Sequence, residues 1–413
     1  DSFELENRFD FTYANEYAGA WELVEDGKVV KRGNFEVPAL APRSRGALQF
    51  SAKDFPAVTA AKERFLNISF SLKKDTLYAP KGYVIARNQV RLSSSSDCAL
   101  AKVKKVIPSV KESSQEVEVS CGNVRAVFNR ITGTISSLEM NGKTIMRDPA
   151  HGIASGPVAT CQRALVDNDV WLKGSQWQDP RYYGPFLAAG LTQLRYHVRS
   201  FSIKDGEVKI STLINGSKSA GFIHESTWSF LEDGSVEMSN RLVPHGTMPL
   251  ALPRIGLSML LDPSLERMRW YGRGPHENYV DRKTSSFFGL WESTVSEQYV
   301  EYIRPQDNGY KSDVKWVEFT DDAGKGVRMA CDNPLFVQAL HYKWEDLEFS
   351  RHRAEQERRR APLIPRKEVC LNLDIRQLGL GGGSCGPKPA DEYIFPIKEE
   401  NWTIRISPVG AGK

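Results

Sequence analysis

Along most of this chain apolar and polar residues alternate one by one. The run RFLNISFSL (64–72) does so, as do EVEVSCGNVRAVFN (116–129), EVKISTLIN (207–215), STWSFLEDGSVEMSNRLV (226–243) and NWTIRIS (401–407). A period of two turns one face of a strand toward a core and the other toward water. Between such runs stand Asp-Gly, Asn-Gly or a nearby Gly: VEDGKVV at 24–30, NRITGT at 129–134, EMNGKTI at 139–145 and LEDGSVEM at 231–238. These residues tolerate positive φ and close hairpins. Phe3, Leu5, Phe9 and Phe11 fall on odd positions and predict an opening strand. Helical spacing is rare. The best candidate is 343–360, where WEDLEFSRHRAEQERRR carries good helix formers ahead of Pro362. The pattern as a whole predicts an all-β protein of many antiparallel strands, arranged as sandwiches or barrels.

One boundary is visible. VIARNQVRL (84–92) ends a strand set, SSSSD (93–97) reads as a surface connector, a Lys-rich stretch (102–111) follows, and a new strand series opens near Val117. The expected organisation is an immunoglobulin-like β-sandwich over 1–97, a linker over 98–113, and a larger domain over 114–413. That last part is too long for one simple sandwich and predicts a large two-sheet structure.

Composition narrows the function classes. With 40% hydrophobic and 26% charged residues in 413, the chain has the make-up of a folded domain with a sizeable core. Lys and Arg number 55 against 51 Asp and Glu, so the signs nearly cancel, and no nucleic-acid or membrane surface is expected. No apolar run approaches the roughly 20 residues that span a bilayer. The opening DSFELENRFDF has no Met, basic n-region or apolar h-region, so the expectation is a segment of something longer, with no compartment signal. Six Cys at 98, 121, 161, 331, 370 and 385 form no CxxC pair, which argues against structural zinc and for mostly buried free thiols.

Several tempting motifs lack their context. GGSCG (382–386) matches a nucleophile elbow, but all seven His precede Ser384, and Pro387, Pro389 and Pro396 leave little room for the helix such an elbow needs. Gly379, Gly381 and Gly383 form GxGxG with no helix behind it to face a phosphate. An irregular glycine loop is the expectation there. Asn15-Glu16 reads as a solvated turn, because a retaining glycosidase needs a second carboxyl only about 5–5.5 Å away and none is apparent. The Arg-rich SRHRAEQERRR (350–360) is interrupted by Glu355 and Glu357 and reads as a solvated or interface-facing helix; His341 and His352 lack metal-ligand spacing.

Two polar clusters survive. RALVDND (163–169) carries Arg163, Asp167, Asn168 and Asp169. RWYGRGPHENYVDRKTS (269–285) carries Trp270, Gly272, Gly274, Pro275, Glu277, Asn278, Tyr279, Asp281 and Arg282. Both are expected as loops between strands. Arg and Asp so close together can lock a loop through bidentate charge-assisted bonds, and the glycines with Pro275 imply a sharply bent backbone.

These clusters, with FNRITGTISSL (128–138), RPQDNGYKSDVKW (304–316) and LNLDIRQLGLGGGS (371–384), resemble in order and spacing the C-terminal domain of the large β-galactosidases of glycoside hydrolase family 2. FDFTYANEYAGAWELVEDGKVVKRGNFEVPALAP (9–42) is similar to the sandwich domain immediately before it. The resemblance implies an immunoglobulin-like sandwich followed by a mutarotase-like β-supersandwich. It implies a non-catalytic C-terminal portion of a retaining enzyme that hydrolyses terminal non-reducing β-D-galactosides. In the family both catalytic Glu residues lie in an upstream TIM barrel, so this chain alone is expected to be inactive. The implied partners are upstream sugar-binding, immunoglobulin-like and barrel domains of the same parent chain and the galactoside, in a parent that can be a homo-oligomer. No cofactor is expected in this segment; the family often uses Mg and Na at the barrel. The two polar clusters become structural corners, and Gly382, Gly383, Ser384, Cys385 and Gly386 become a loop beside the sugar pocket. Two departures stand out. Leu165 replaces a Pro common among relatives. Many relatives follow the paired glycines with acidic residues and a Trp that stacks on sugar, whereas Ser384, Cys385 and Gly386 offer no aromatic ring. Two other classes are a free-standing carbohydrate-binding module, which would bind galactosides without any partner domain, and a mutarotase-like epimerase. The epimerase needs a His and a carboxylate on one sugar ring. His276-Glu277 and His224-Glu225 are adjacent pairs, and neighbours on a strand point to opposite faces.

Overall fold

The computed structural model describes residues 2–50, 63–93, 100–149, 155–171, 183–303, 305–347, 363–382 and 389–410. Its contacts divide the chain into two compact units, Asp1–Ser96 with Phe287–Leu290, and Asp97–Ser286 with Trp291–Lys413.

The first unit holds β1 (Ser2–Glu6), β2 (Tyr17–Glu25), β3 (Lys28–Phe35), β4 (Arg45–Gln49), β5 (Arg64–Leu72) and β6 (Val84–Ser93). β1 pairs with β4, and a second sheet runs β3-β2-β5-β6. Trp21 and Leu23 of β2 and Leu66 and Ile68 of β5 meet Leu48 and Phe50 in one core, as the alternation requires. The β2–β3 hairpin turns on Asp26 (φ 47°) and Gly27 (φ 80°), the left-handed pair that Asp-Gly favours. The opening strand is shorter than its pattern. It ends at Glu6 because the Asn7 side-chain amide donates to the carbonyls of Thr12, Leu40 and Ala41 at 2.9–3.1 Å, which turns the chain away. Phe9 and Phe11 consequently lie outside the strand and stand exposed.

The second unit begins with β7 (Lys105–Val106), β8 (Ser109–Glu112), β9 (Glu116–Cys121), β10 (Val124–Asn129), β11 (Thr134–Met140) and β12 (Lys143–Arg147). There follow β13 (Val158–Thr160), α1 (Asp167–Trp171), α2 (Tyr183–Ala188), β14 (Arg195–Lys204), β15 (Glu207–Asn215), β16 (Gly221–Leu231), β17 (Val236–His245) and β18 (Arg254–Leu261). The chain continues with β19 (Arg267–Gly274), β20 (Phe287–Thr294, whose first four residues count with the first unit), β21 (Lys311–Thr320), β22 (Gly326–Leu340), α3 (Trp344–Leu347), β23 (Val369–Gln377) and β24 (Glu400–Val409). A five-stranded sheet runs β12-β11-β10-β9-β8. A thirteen-stranded sheet runs β13-β18-β23-β22-β24-β17-β16-β15-β14, with β21, β19 and β20 branching in turn from β22 and β7 pairing with β16. Val119, Phe128 and Leu138 of the small sheet share a core with Ile210 and Trp228 of the large one. The Phe128 ring meets Trp228 edge-on at 5.5 Å. This is the expected large two-sheet structure.

Other expectations meet the structure unevenly. Residues 98–113 contain β7 and β8, each paired into a sheet. Of the helix anticipated at 343–360, α3 covers Trp344–Leu347, and 348–362 lie outside the described residues. Cys121, Cys161, Cys331 and Cys370 are free thiols, while Cys98 and Cys385 lie outside the described residues. Among the described residues no helix is long and apolar enough to cross a membrane.

Candidate functional site

The 269–285 cluster begins as a strand rather than a loop. β19 carries Trp270, Gly272 and Gly274. Trp270 is buried and its Nε1 donates to the Arg273 carbonyl at 3.0 Å. A Cβ at Gly272 would sit 2.7 Å from the Val314 backbone, so only glycine lets the strand approach there. Beyond Pro275 the chain turns around Asn278, which is wholly buried. Its amide nitrogen donates to the His276 carbonyl at 3.0 Å, and its side-chain oxygen accepts from the Ser312 backbone at 2.8 Å. The Glu277 carboxylate accepts from the Gly309 N–H at 2.7 Å, from Arg282 and from the Tyr302 hydroxyl. Tyr279 is buried, with its hydroxyl 3.3 Å from Asp307 and the Arg282 guanidinium 5.3 Å above its ring.

The 163–169 cluster leads from a loop into α1. Arg163 is buried and donates from Nε and Nη2 to the Asp169 carboxylate at 3.0–3.1 Å, the bidentate geometry its spacing suggests. Asp167 and Gln306 exchange hydrogen bonds at 3.1 and 3.2 Å.

The two clusters meet on one short backbone segment. Arg163 Nη1 donates to the Leu378 carbonyl at 3.0 Å. The Asn168 amide donates to the Leu380 carbonyl at 2.6 Å. The Asp281 carboxylate accepts from the Gly381 N–H at 2.8 Å. Gly379 permits the approach, since a Cβ there would lie 2.6 Å from Asp281 Oδ2, and Gly381 takes a positive φ of 92°. Asp281 and Arg282 therefore serve different partners, one the glycine segment and the other Glu277. Among the described residues Asn168 Oδ1, Asp281 Oδ1 and the amide nitrogen of Gln377, whose oxygen accepts from Val280, are buried without a hydrogen-bond partner. Of the loop anticipated beside a sugar pocket, Gly382 is described, and Gly383, Ser384, Cys385 and Gly386 lie outside the described residues.

Beneath these motifs lies a polar network that the motif reading left without roles. Arg254 and Asp374, both buried, pair at 2.6 Å. The Tyr310 hydroxyl donates to the other Asp374 oxygen at 2.6 Å. Gln338 donates to Asp307 at 3.0 Å and accepts from Asn372 at 2.6 Å. Burial raises the Asp307 carboxyl to about 7, against the pull of the Arg163 and Arg254 charges. Burial lowers the Lys311 ammonium to about 8; its Nζ donates to the Gly309 carbonyl at 3.0 Å and lies 5.4 Å over the Trp270 ring. Among the described residues no three His, Cys, Asp or Glu side chains gather as a metal centre requires. Chemically the arrangement is one of positioning. Glu277, Asp169, Asp307 and Asp374 each accept from two or more donors.

Residues 120–406 match the family described as "Beta galactosidase small chain", and residues 3–93 match "Beta-galactosidase, domain 4". A β-galactosidase of Priestia megaterium is 27% identical over 390 residues, covering 92% of this chain and 34% of that protein. One from Pseudoalteromonas haloplanktis is 25% identical over 418 residues, covering 98% of this chain and 38% of that protein. The chain thus spans about a third of the length of these relatives. Among solved structures, a GalM/aldose epimerase homologue from C. elegans aligns with a TM-score of 0.41 at 11% identity, over 72% of this chain and 99% of that one.

Proposed function

Because this chain belongs to the β-galactosidase small-chain family, with a β-galactosidase domain 4 ahead of that match, we propose that it is the non-catalytic C-terminal portion of a retaining β-galactosidase. The parent enzyme hydrolyses terminal non-reducing β-D-galactosides. This portion holds its own large sandwich together and helps shape the sugar pocket through the glycine loop near 382–386.

The observation that carries this reading is the convergence of Arg163, Asn168 and Asp281 on the backbone of Leu378, Leu380 and Gly381. Surface connections are ordinarily the most variable part of a fold. Three polar side chains from two distant motifs, two of them charged, hold this one, and each such bond is worth roughly 1–3 kcal/mol when its loss strands a buried partner. Placement at that cost suits a loop whose position matters to a neighbouring site. The corner itself is poorly suited to hydrolysis. Retaining chemistry needs a free carboxylate nucleophile and a protonated partner about 5–5.5 Å from it, and Glu277, Asp169 and Asp374 are engaged with N–H and O–H donors. On this reading the catalytic pair, and the Mg and Na that the family often uses, belong to an upstream barrel. The upstream domains of the same parent chain and the galactoside are the partners.

The test is to express the chain together with the residues its gene encodes upstream. The longer protein should hydrolyse a chromogenic β-galactoside, and Asp281→Ala in it should raise KM more than it lowers kcat. A longer protein without β-galactosidase activity, or an Asp281→Ala variant with unchanged KM, contradicts the proposal.

A further inference from the structure

A cavity of about 410 Å³ opens at one end of the thirteen-stranded sheet, over β13, β18 and β23. That volume falls within the range of roughly 300–1,000 Å³ seen for small-molecule sites. Its polar lining includes Thr160, Gln162, Ser258 and Asn372, and its aromatic lining includes Tyr196 and Trp344. None of residues 377–382, the segment held by the polar corner, lines it.

The polar lining is ordered from behind. Arg254 donates to Ser258 Oγ at 3.0 Å and to Asn372 Oδ1 at 3.2 Å, and its Nε donates to the Gln162 carbonyl. Ser258 donates to Asn372, and Asn372 donates to Gln338 at 2.6 Å. These bonds fix the lining before any ligand arrives. Gln162 is 7% exposed, and its backbone is engaged on both sides. Its side-chain amide offers one acceptor oxygen and two N–H donors, the complement of neighbouring hydroxyl groups on a ring.

The remaining lining sets the ligand's charge. Lys343 and Glu345, one cation and one carboxylate, also line the cavity. The nearest guanidinium, Arg254, is committed to Asp374 at 2.6 Å. The charged side chains of the lining are thus one of each sign, and neither sign predominates. Trp344 is half-buried at the start of α3 and packs on the cluster around Leu340 and Leu347, which holds the indole in place. A rigid aromatic ring beside amides and hydroxyls suits a molecule with a C–H face and a hydroxyl edge. We propose that this cavity is a binding site for a neutral pyranose, separate from the 378–381 loop and occupied whether or not the chain acts in galactoside hydrolysis.

Calorimetric titration of the 413-residue chain tests this, with methyl β-galactoside, methyl β-glucoside and lactose as probes and glucuronate as the charged comparison. Saturable binding of at least one neutral sugar is expected, in the micromolar to millimolar range. Gln162→Met and Trp344→Ala should each weaken it by at least ~10-fold, near 1.4 kcal/mol, and Asp281→Ala should leave it unchanged. Thr160→Val, nearly isosteric, gives a third readout should Trp344→Ala fail to fold. No saturable binding of any neutral sugar overturns the proposal. So does binding that survives both Gln162→Met and Thr160→Val, binding lost in Asp281→Ala alone, or a preference for glucuronate. Hydrolysis by a longer protein does not enter these readouts, so this proposal and the functional one fail separately.

Discussion

Asp307 shows how one residue can carry a pH dependence into the core. It is 5% exposed and faces the Tyr279 hydroxyl, the Gln338 amide and the charges of Arg163, Arg254 and Asp374. Burial raises its carboxyl from the ordinary 3.8 to about 7. The folded chain therefore holds a proton that the unfolded chain has released across that window. The associated stability is full below about 4 and is lost as pH rises through about 7. Lys311 acts with the opposite sign and in another window. Burial lowers it from 10.5 to about 8, so its contribution grows as pH rises from about 8 to 10.5. Asp307→Asn removes the first titration. Urea unfolding at pH 5 and pH 8 should show the parent chain losing stability relative to Asp307→Asn at the higher pH. Parallel profiles would mean that Asp307 is ionised throughout and held by its arginines.

At the scale of an element, the segment 378–381 owes its place to side chains more than 90 residues away in sequence. Asp281→Ala leaves the Gly381 N–H without its acceptor, a loss of roughly 1–3 kcal/mol. The unpartnered Asp281 Oδ1 disappears with it, so the lower end of that range is expected. In a domain of this size each kcal/mol moves Tm by about 2–4 °C. Arg282→Ala removes a pair whose arginine side chain is 52% exposed, and its effect should be smaller. Thermal unfolding of both variants decides the order; an Arg282→Ala loss equal to or larger than that of Asp281→Ala contradicts the assignment. The same segment shows where sequence reading runs out. Hairpins at Asp26-Gly27 and Asn141-Gly142 were legible because positive φ at both residues is a local demand that Asp-Gly and Asn-Gly meet. Phe9 and Phe11 misled because alternation continued past a turn made by Asn7, whose partners lie up to 34 residues away. Arg254 opens β18, and Asp374 stands in β23 among Asn372, Arg376 and Gln377, so no local pattern singles them out. Their partnership depends on the pairing of β18 with β23, and a local pattern does not contain that register. The cavity over β13, β18 and β23 was hidden for the same reason.

At the scale of the whole molecule, each of the two units closes its own apolar core. The polar groups that the larger one buries pair mainly with one another and with its backbone. Such a molecule can hold a loop in place for a neighbour without performing hydrolysis itself. The direct test is to incubate the 413-residue chain alone, at high concentration, with a chromogenic β-galactoside. The account predicts no release above buffer. Turnover that copurifies with the intact chain and disappears in Glu277→Gln or Asp307→Asn would contradict it.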